Sequence, residues 1–86
     1  MRIRLDLRDL PPPEPMERIL DALVTLSPGH WLDASTPMRP VPLWALLARD
    51  GFAWRLLHEA PGHARMAIWR QADAAAAAAS AAFAPP

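Results

Sequence analysis

The sequence predicts an α/β fold, a two-layer sandwich of order β-α-β-α-β-β with two helices packed on one face of a four-stranded mixed sheet. Two patterns predict it. Short segments alternate apolar and polar residues with the period of a half-buried strand, and other segments repeat apolar residues at helical spacing. Because only one side of each predicted strand is apolar, both helices must cover the same face of the sheet. The 86 residues allow a single domain.

The first strand and the first helix have the clearest patterns. Residues 2–8 alternate apolar residues with charged ones, as a half-buried strand does. The proline-rich residues 11–15 suit a first helical turn, because its N–H groups have no partner within the helix. Residues 16–26 then repeat apolar side chains at helical spacing, and the Ser-Pro-Gly sequence of residues 27–29 ends the helix.

The second strand and the second helix are shorter. Residues 30–35 alternate again, and the period places Trp31 and Asp33 on the side away from the helices. Residues 41–50 form a second amphipathic helix, and Gly51 stands where a left-handed C-terminal cap is favoured.

A closing hairpin follows. Residues 52–59 and 64–68 alternate apolar and polar side chains, and the Ala-Pro-Gly sequence of residues 60–62 predicts the turn between them. These two strands complete the four that the fold requires.

The composition changes abruptly after the last strand. Residues 72–86 are rich in alanine and end in two prolines. Alanine favours helix, but a short isolated helix is marginal in water. We therefore predict a domain over residues 1–71 and a disordered or frayed-helix tail over residues 72–86, outside the core.

Composition excludes several classes of function. The chain has no cysteine, so disulfides, thiolate catalysis and cysteine-based metal sites are excluded. Its nine basic residues, all arginine, balance nine acidic residues, which argues against nucleic acid or an anionic membrane as a partner. The N-terminal apolar residues are interrupted by charges and form neither a secretory leader nor a membrane span, so we predict a cytoplasmic protein.

One motif carries a family resemblance. The Leu-Asp-Leu-Arg strand of residues 5–8 leads into a proline-rich helix start and resembles the TusA-like (SirA-like) superfamily, whose members place a Cys-Pro-x-Pro motif there. The aligned residues are Pro12, Pro13, Glu14 and Pro15. The chain is most similar to a cysteine-less domain-of-unknown-function branch of that superfamily. The resemblance implies the fold and the shape of the helix entrance, and Pro12 in place of cysteine implies that sulfur transfer is lost.

The face of the sheet away from the helices is a candidate interaction surface. Arginine and tryptophan are enriched in protein-binding hot spots. A solvated surface without a partner, or single-stranded nucleic acid, are the alternatives, and the neutral net charge argues against the latter. The strand period places there Arg2, Arg4, Arg8, Trp31, Arg55, Leu57, Arg65 and Trp69.

The histidines offer a second kind of site. His58 and His63 flank the tip of the predicted hairpin with Glu59 nearby, a set that could bind a metal, although exposed turn histidines without a ligand are common. No cofactor is predicted.

These observations lead to one main prediction and two alternatives. The chain is predicted to be a non-enzymatic interaction module that binds a protein partner or a second copy of itself. The first alternative is a small metal- or ligand-binding protein of redox or nitrogen-oxide (denitrification) metabolism, a link that only the family resemblance implies. The second is an enzyme without a recognisable nucleophile, since Ser27, Ser35 and Ser80 match no nucleophile motif.

Overall fold

The structure is a computed structural model that describes residues 1–83. A four-stranded mixed sheet forms its centre. The strand order is β1-β2-β4-β3, with β1 parallel to β2 and the other neighbours antiparallel. The predicted α/β class, with two helices on one face of the sheet, is confirmed. The elements are β1 (Arg2–Asp6), α1 (Glu14–Val24), β2 (Trp31–Thr36), α2 (Val41–Arg49), β3 (Phe52–Ala60), β4 (His63–Arg70) and α3 (Ala74–Ala82).

The main core lies between the sheet and the helices α1 and α2. Ile19 and Leu23 of α1 and Leu43 and Leu47 of α2 are buried against the sheet, four residues apart in each helix, as an amphipathic helix requires. Pro15 lies in the first turn of α1, where its missing N–H leaves no hydrogen bond unmade.

The C-terminal segment differs from the prediction. Residues 74–82 form the helix α3, which packs on the other face of the sheet, so the expected disordered or frayed tail outside the core is wrong for this part. Ala76 and Ser80 are buried there, beside Trp31 and Ala67 of the sheet. Residues 84–86 of the predicted tail lie outside the described residues.

Two fixed ends explain why so short a helix forms. The carboxylate of Asp73 accepts hydrogen bonds from the N–H of Ala76, at 3.0 Å, and of Gly29, at 2.7 Å. The first is an N-cap, and the second ties the start of α3 to the turn before β2. At the other end the Arg55 guanidinium donates to the Ser80 carbonyl at 2.8 Å. Tertiary contacts thus supply the stability that an isolated alanine helix lacks.

The β3–β4 hairpin contains an irregularity that affects the surface. The register shifts between Leu56, which pairs with Met66, and His58, which pairs with Arg65. The extra residue is a β-bulge, and it brings His58 to the same face of the sheet as Arg65. Gly62, with φ of +77°, forms the turn that the sequence predicts.

Over residues 1–83, no helix is long and apolar enough to cross a bilayer.

Candidate functional site: a proline-lined groove and a polar sheet face

A groove of about 580 Å³ lies beside the N-terminus of α1. Its walls are the segment between β1 and α1 and the segment between β2 and α2. Of the nine prolines among residues 1–83, seven line it: Pro11, Pro12, Pro13, Pro15, Pro37, Pro40 and Pro42. The family-motif positions Pro12, Pro13 and Pro15 therefore lie in the wall of a concave site, whereas Glu14 is not part of the lining.

The parallel pairing of β1 and β2 creates this groove. Parallel strands end at the same edge of a sheet, so the two segments that follow them lie side by side. The Leu10 N–H donates to the Leu7 carbonyl at 3.2 Å, and the Thr36 hydroxyl donates to the Met38 carbonyl at 2.6 Å, which fixes both walls.

The groove favours an apolar occupant. Proline has no backbone N–H, so these walls offer few hydrogen-bond donors to a ligand. The two arginines at the rim are already paired: Arg8 with Asp6 at 2.7 Å and Arg39 with Glu59 at 3.4 Å. Met38, which is 70% exposed, presents a large apolar side chain at the same place.

The opposite face of the sheet is centred on a buried carboxylate. Asp33 is fully buried, and Arg65 donates two hydrogen bonds to its oxygens, at 2.9 and 2.7 Å. Arg2 and Arg4 each approach the same carboxylate to 3.5 Å. These bonds to Asp33 raise the pKa of the Arg65 guanidinium. One acidic side chain thus holds three of the arginines that the sequence assigns to the interaction surface.

The expectation of an open interaction surface is wrong where α3 covers the sheet. Trp31 is only 3% exposed, and its ring lies 5.7 Å from that of Phe83. Arg55, which binds the Ser80 carbonyl, also lies over the ring of Trp69 at 6.0 Å. The structure therefore divides this face into an apolar half under α3, which includes Leu57 and Trp69, and a polar half near the hairpin turn.

The polar half contains two of the three candidate metal ligands. The rings of His58 and His63 are 5.1 Å apart, and the Nε2 atom of His63 lies 3.1 Å from the Ser35 hydroxyl. Glu59 instead forms its ion pair with Arg39 at the rim of the groove. Among residues 1–83, no three His, Cys, Asp or Glu side chains converge as a metal site would require.

His63 gives the protein a predicted dependence on pH. The pKa of His63 is lower than its usual value of 6.5. Burial is the largest cause, and the charges of Arg8, His58 and Arg4 lower it further. The unfolded chain therefore binds this proton more readily than the folded one. The resulting stability is fully present above pH 6.5 and is lost as the pH falls from there through the lowered pKa.

The measurement is the midpoint of urea denaturation at a series of pH values from 8 to 5, in buffers without polyvalent anions. We expect the His63→Gln variant to lose less stability over this range than the wild type, while His30→Gln, a change outside the polar half, follows the wild type. An identical loss in His63→Gln would contradict the assignment.

Comparison with known proteins finds a family match. A family described as an uncharacterized conserved protein (DUF2249) matches residues 4–70, which span β1 to β4 and end before α3. Neither the curated proteins nor the solved structures gave a match.

Proposed function

Because the chain belongs to the DUF2249 family of uncharacterized conserved proteins, its function has to be inferred from its own surface, and we propose that it is a non-enzymatic interaction module. The binding site in this proposal is the proline-lined groove, and the partner is a protein that inserts an apolar side chain. The single observation that carries the proposal is the concave apolar groove with exposed Met38 at its edge.

The groove suits docking because its shape is fixed before a partner arrives. Proline restricts the backbone, so a wall made largely of proline has little conformational entropy to lose on binding. The paired arginines at the rim limit long-range attraction of charged partners, which leaves apolar contact as the main source of affinity.

The non-enzymatic part of the proposal rests on what the side chains are. The chain has no cysteine, and the lining of the groove contains no histidine, serine or threonine. Ser35, whose hydroxyl lies 3.1 Å from the Nε2 atom of His63, is fully buried and accepts a hydrogen bond from Arg4 at 2.9 Å. That hydroxyl is therefore badly placed for attack on a substrate.

Kinship with the TusA-like superfamily belongs to the same proposal. The β-α-β-α-β-β order with two helices on one face, and the prolines at the start of α1, support it. In this proposal the groove keeps the docking position at the helix entrance while the chemistry of a carrier thiol is absent.

Site-specific photo-crosslinking tests the groove. A benzoylphenylalanine in place of Met38 is expected to form one discrete adduct with a partner in the cells that make the protein. The matched control is Val24, which is 78% exposed and lies on α1 away from the groove lining. Equal adducts from both positions, or none from Met38, would contradict the proposal.

A second substitution ties the adduct to the groove. Pro42→Glu places a carboxylate in the groove at the start of α2, where a negative charge suits the helix dipole and the fold is kept. Docking of an apolar group against this charge should weaken by about tenfold or more. An undiminished adduct in a chain that also carries Pro42→Glu would show that the partner binds elsewhere.

A further inference from the structure

The uncovered half of the α3-side sheet face is polar, unlike the groove, and Arg8 borders both. We call it the histidine–arginine patch and define it by Arg4, Arg8, Ser35, His58 and His63. The pairing of β2 with β4 and of β4 with β3 places Ser35 and His58 opposite Arg65, on the same face as His63. The Ser35 hydroxyl contacts both Arg4, at 2.9 Å, and His63, at 3.1 Å.

The charges around this patch are unbalanced. Among the described residues, the acidic groups that act on it are Asp6 on β1, Asp33 on β2 and Asp9, which lies near Arg8; Asp6 and Asp33 are already engaged. Asp6 accepts two short hydrogen bonds from the Arg8 guanidinium, at 2.8 and 2.7 Å. These bonds lower the pKa of Asp6 to about 2, so it stays ionised and paired.

Asp33 has three basic partners. Its single negative charge forms ion pairs with Arg2, Arg4 and Arg65. The surroundings of Arg4 therefore carry excess positive charge before either histidine is protonated.

A metal cation does not suit such a place. Two neutral imidazoles could supply nitrogen ligands, but positive guanidinium groups beside them oppose a further cation. The carboxylate needed to complete the set, Glu59, is paired with Arg39 at the groove. The same residues favour the opposite ligand, because imidazolium and guanidinium N–H groups are donors to an anion.

We propose that the histidine–arginine patch binds a small oxyanion, with His58, His63 and Arg4 as its donors. His58 is exposed and the side chain of Arg4 is 35% exposed, so an anion can reach them from solvent. The buried Ser35 hydroxyl fixes the positions of Arg4 and His63 relative to each other. Binding strengthens as the pH falls, since a bound anion favours the protonated imidazole. Burial and the nearby arginines lower the pKa of free His63, and the anion opposes that effect.

Sulfate is the probe, because its charge does not change between pH 8 and pH 5.5. The histidine NMR signals of the full chain are followed while sodium sulfate replaces sodium chloride at constant ionic strength. We expect the signals of His58 and His63 to shift and saturate, those of His30 to stay, the His63 pKa to rise, and affinity to increase as the pH falls.

Variants separate this site from general anion screening. His58→Ala and His63→Ala should each weaken sulfate binding by about tenfold, the value of one charge-assisted hydrogen bond, while His30→Ala should not. The Pro42→Glu variant should bind sulfate normally, so failure of the groove proposal leaves this one intact. A glutamate-rich peptide is the second probe. It tests whether the anion that binds the patch is a carboxylate on another protein.

The outcomes are distinct. Saturable sulfate binding lost in the histidine variants supports the site, and tighter binding of the peptide through the same histidines identifies a protein carboxylate as the anion. Unsaturable shifts, equal shifts at His30, or stoichiometric Zn²⁺ binding that the histidine variants abolish without any sulfate effect would overturn the proposal.

Discussion

Replacement of Asp33 by alanine is expected to lower the free energy of unfolding by about 3–5 kcal/mol, the cost of removing one partner from a buried ion pair. Asp33 is fully buried and is the only acidic group within 4.0 Å of Arg65, Arg2 and Arg4 among the described residues. Without it, two hydrogen bonds to Arg65 are lost and three cations lie together with no counter-charge. For a domain of this size the loss is a large share of total stability.

Urea denaturation followed by circular dichroism measures this change. Asp21→Ala is the matched control, since Asp21 lies exposed on α1 and such surface changes are usually within about 0.5 kcal/mol. Asp33→Asn should be milder than Asp33→Ala because the amide oxygen can still accept one bond from Arg65. Equal stability of Asp33→Ala and Asp21→Ala would refute the central role of this carboxylate.

Replacement of Trp31 by alanine is expected to cost about 3–5 kcal/mol, as for a large aromatic residue in a core. Trp31 is 3% exposed and packs with Ala67, Ala76 and Phe83. Its loss leaves a cavity between the sheet and α3 and removes much of the apolar contact that holds this helix.

The contrast with Trp69 makes the test specific. Trp69 lies on the same face but is only partly buried, so Trp69→Ala should cost clearly less. The readout is far-ultraviolet circular dichroism, because tryptophan fluorescence changes with either substitution. Equal, small losses in both variants would mean that α3 does not cover Trp31 in solution.

The main layer of the fold could be predicted from local patterns. The alternation in residues 2–8 and the helical spacing in residues 16–26 each report one buried face, and burial of such faces is what the sheet and α1 require. The hairpin turn was predictable for a backbone reason, since Gly62 adopts the positive φ that glycine favours.

The second layer was not predictable in the same way. An unbroken alanine run has no periodic contrast between a buried and an exposed face, so nothing in it marks Ala76 and Ser80 as the contacts. One signal was present: Asp73 directly precedes the run and serves as its N-cap. Trp31 is buried because α3 covers it. The strand period alone could not distinguish an open sheet face from a covered one.

The candidate sites were predictable in part. The strand period correctly placed Arg65 and Trp31 on one face, but the sharing of Asp33 among three arginines depends on tertiary geometry. The groove joins prolines from two distant segments, and only the parallel pairing of β1 with β2 brings them together. The bulge in β3 likewise decides that His58 joins His63, because one added residue reverses the face of every residue after it.

The order of the layers along the chain has a consequence for a shortened chain. The elements that form the core on the α1 and α2 side of the sheet are all synthesised by the end of β4. The helix α3, which covers Trp31, is the last described element of the chain. Residues 1–70 contain no other element that covers the α3 side of β2, so the burial of Trp31 depends on residues outside the helix-side layer. A chain shortened to residues 1–71 is therefore expected to expose the ring of Trp31 on an apolar patch, the kind of surface that promotes association between chains.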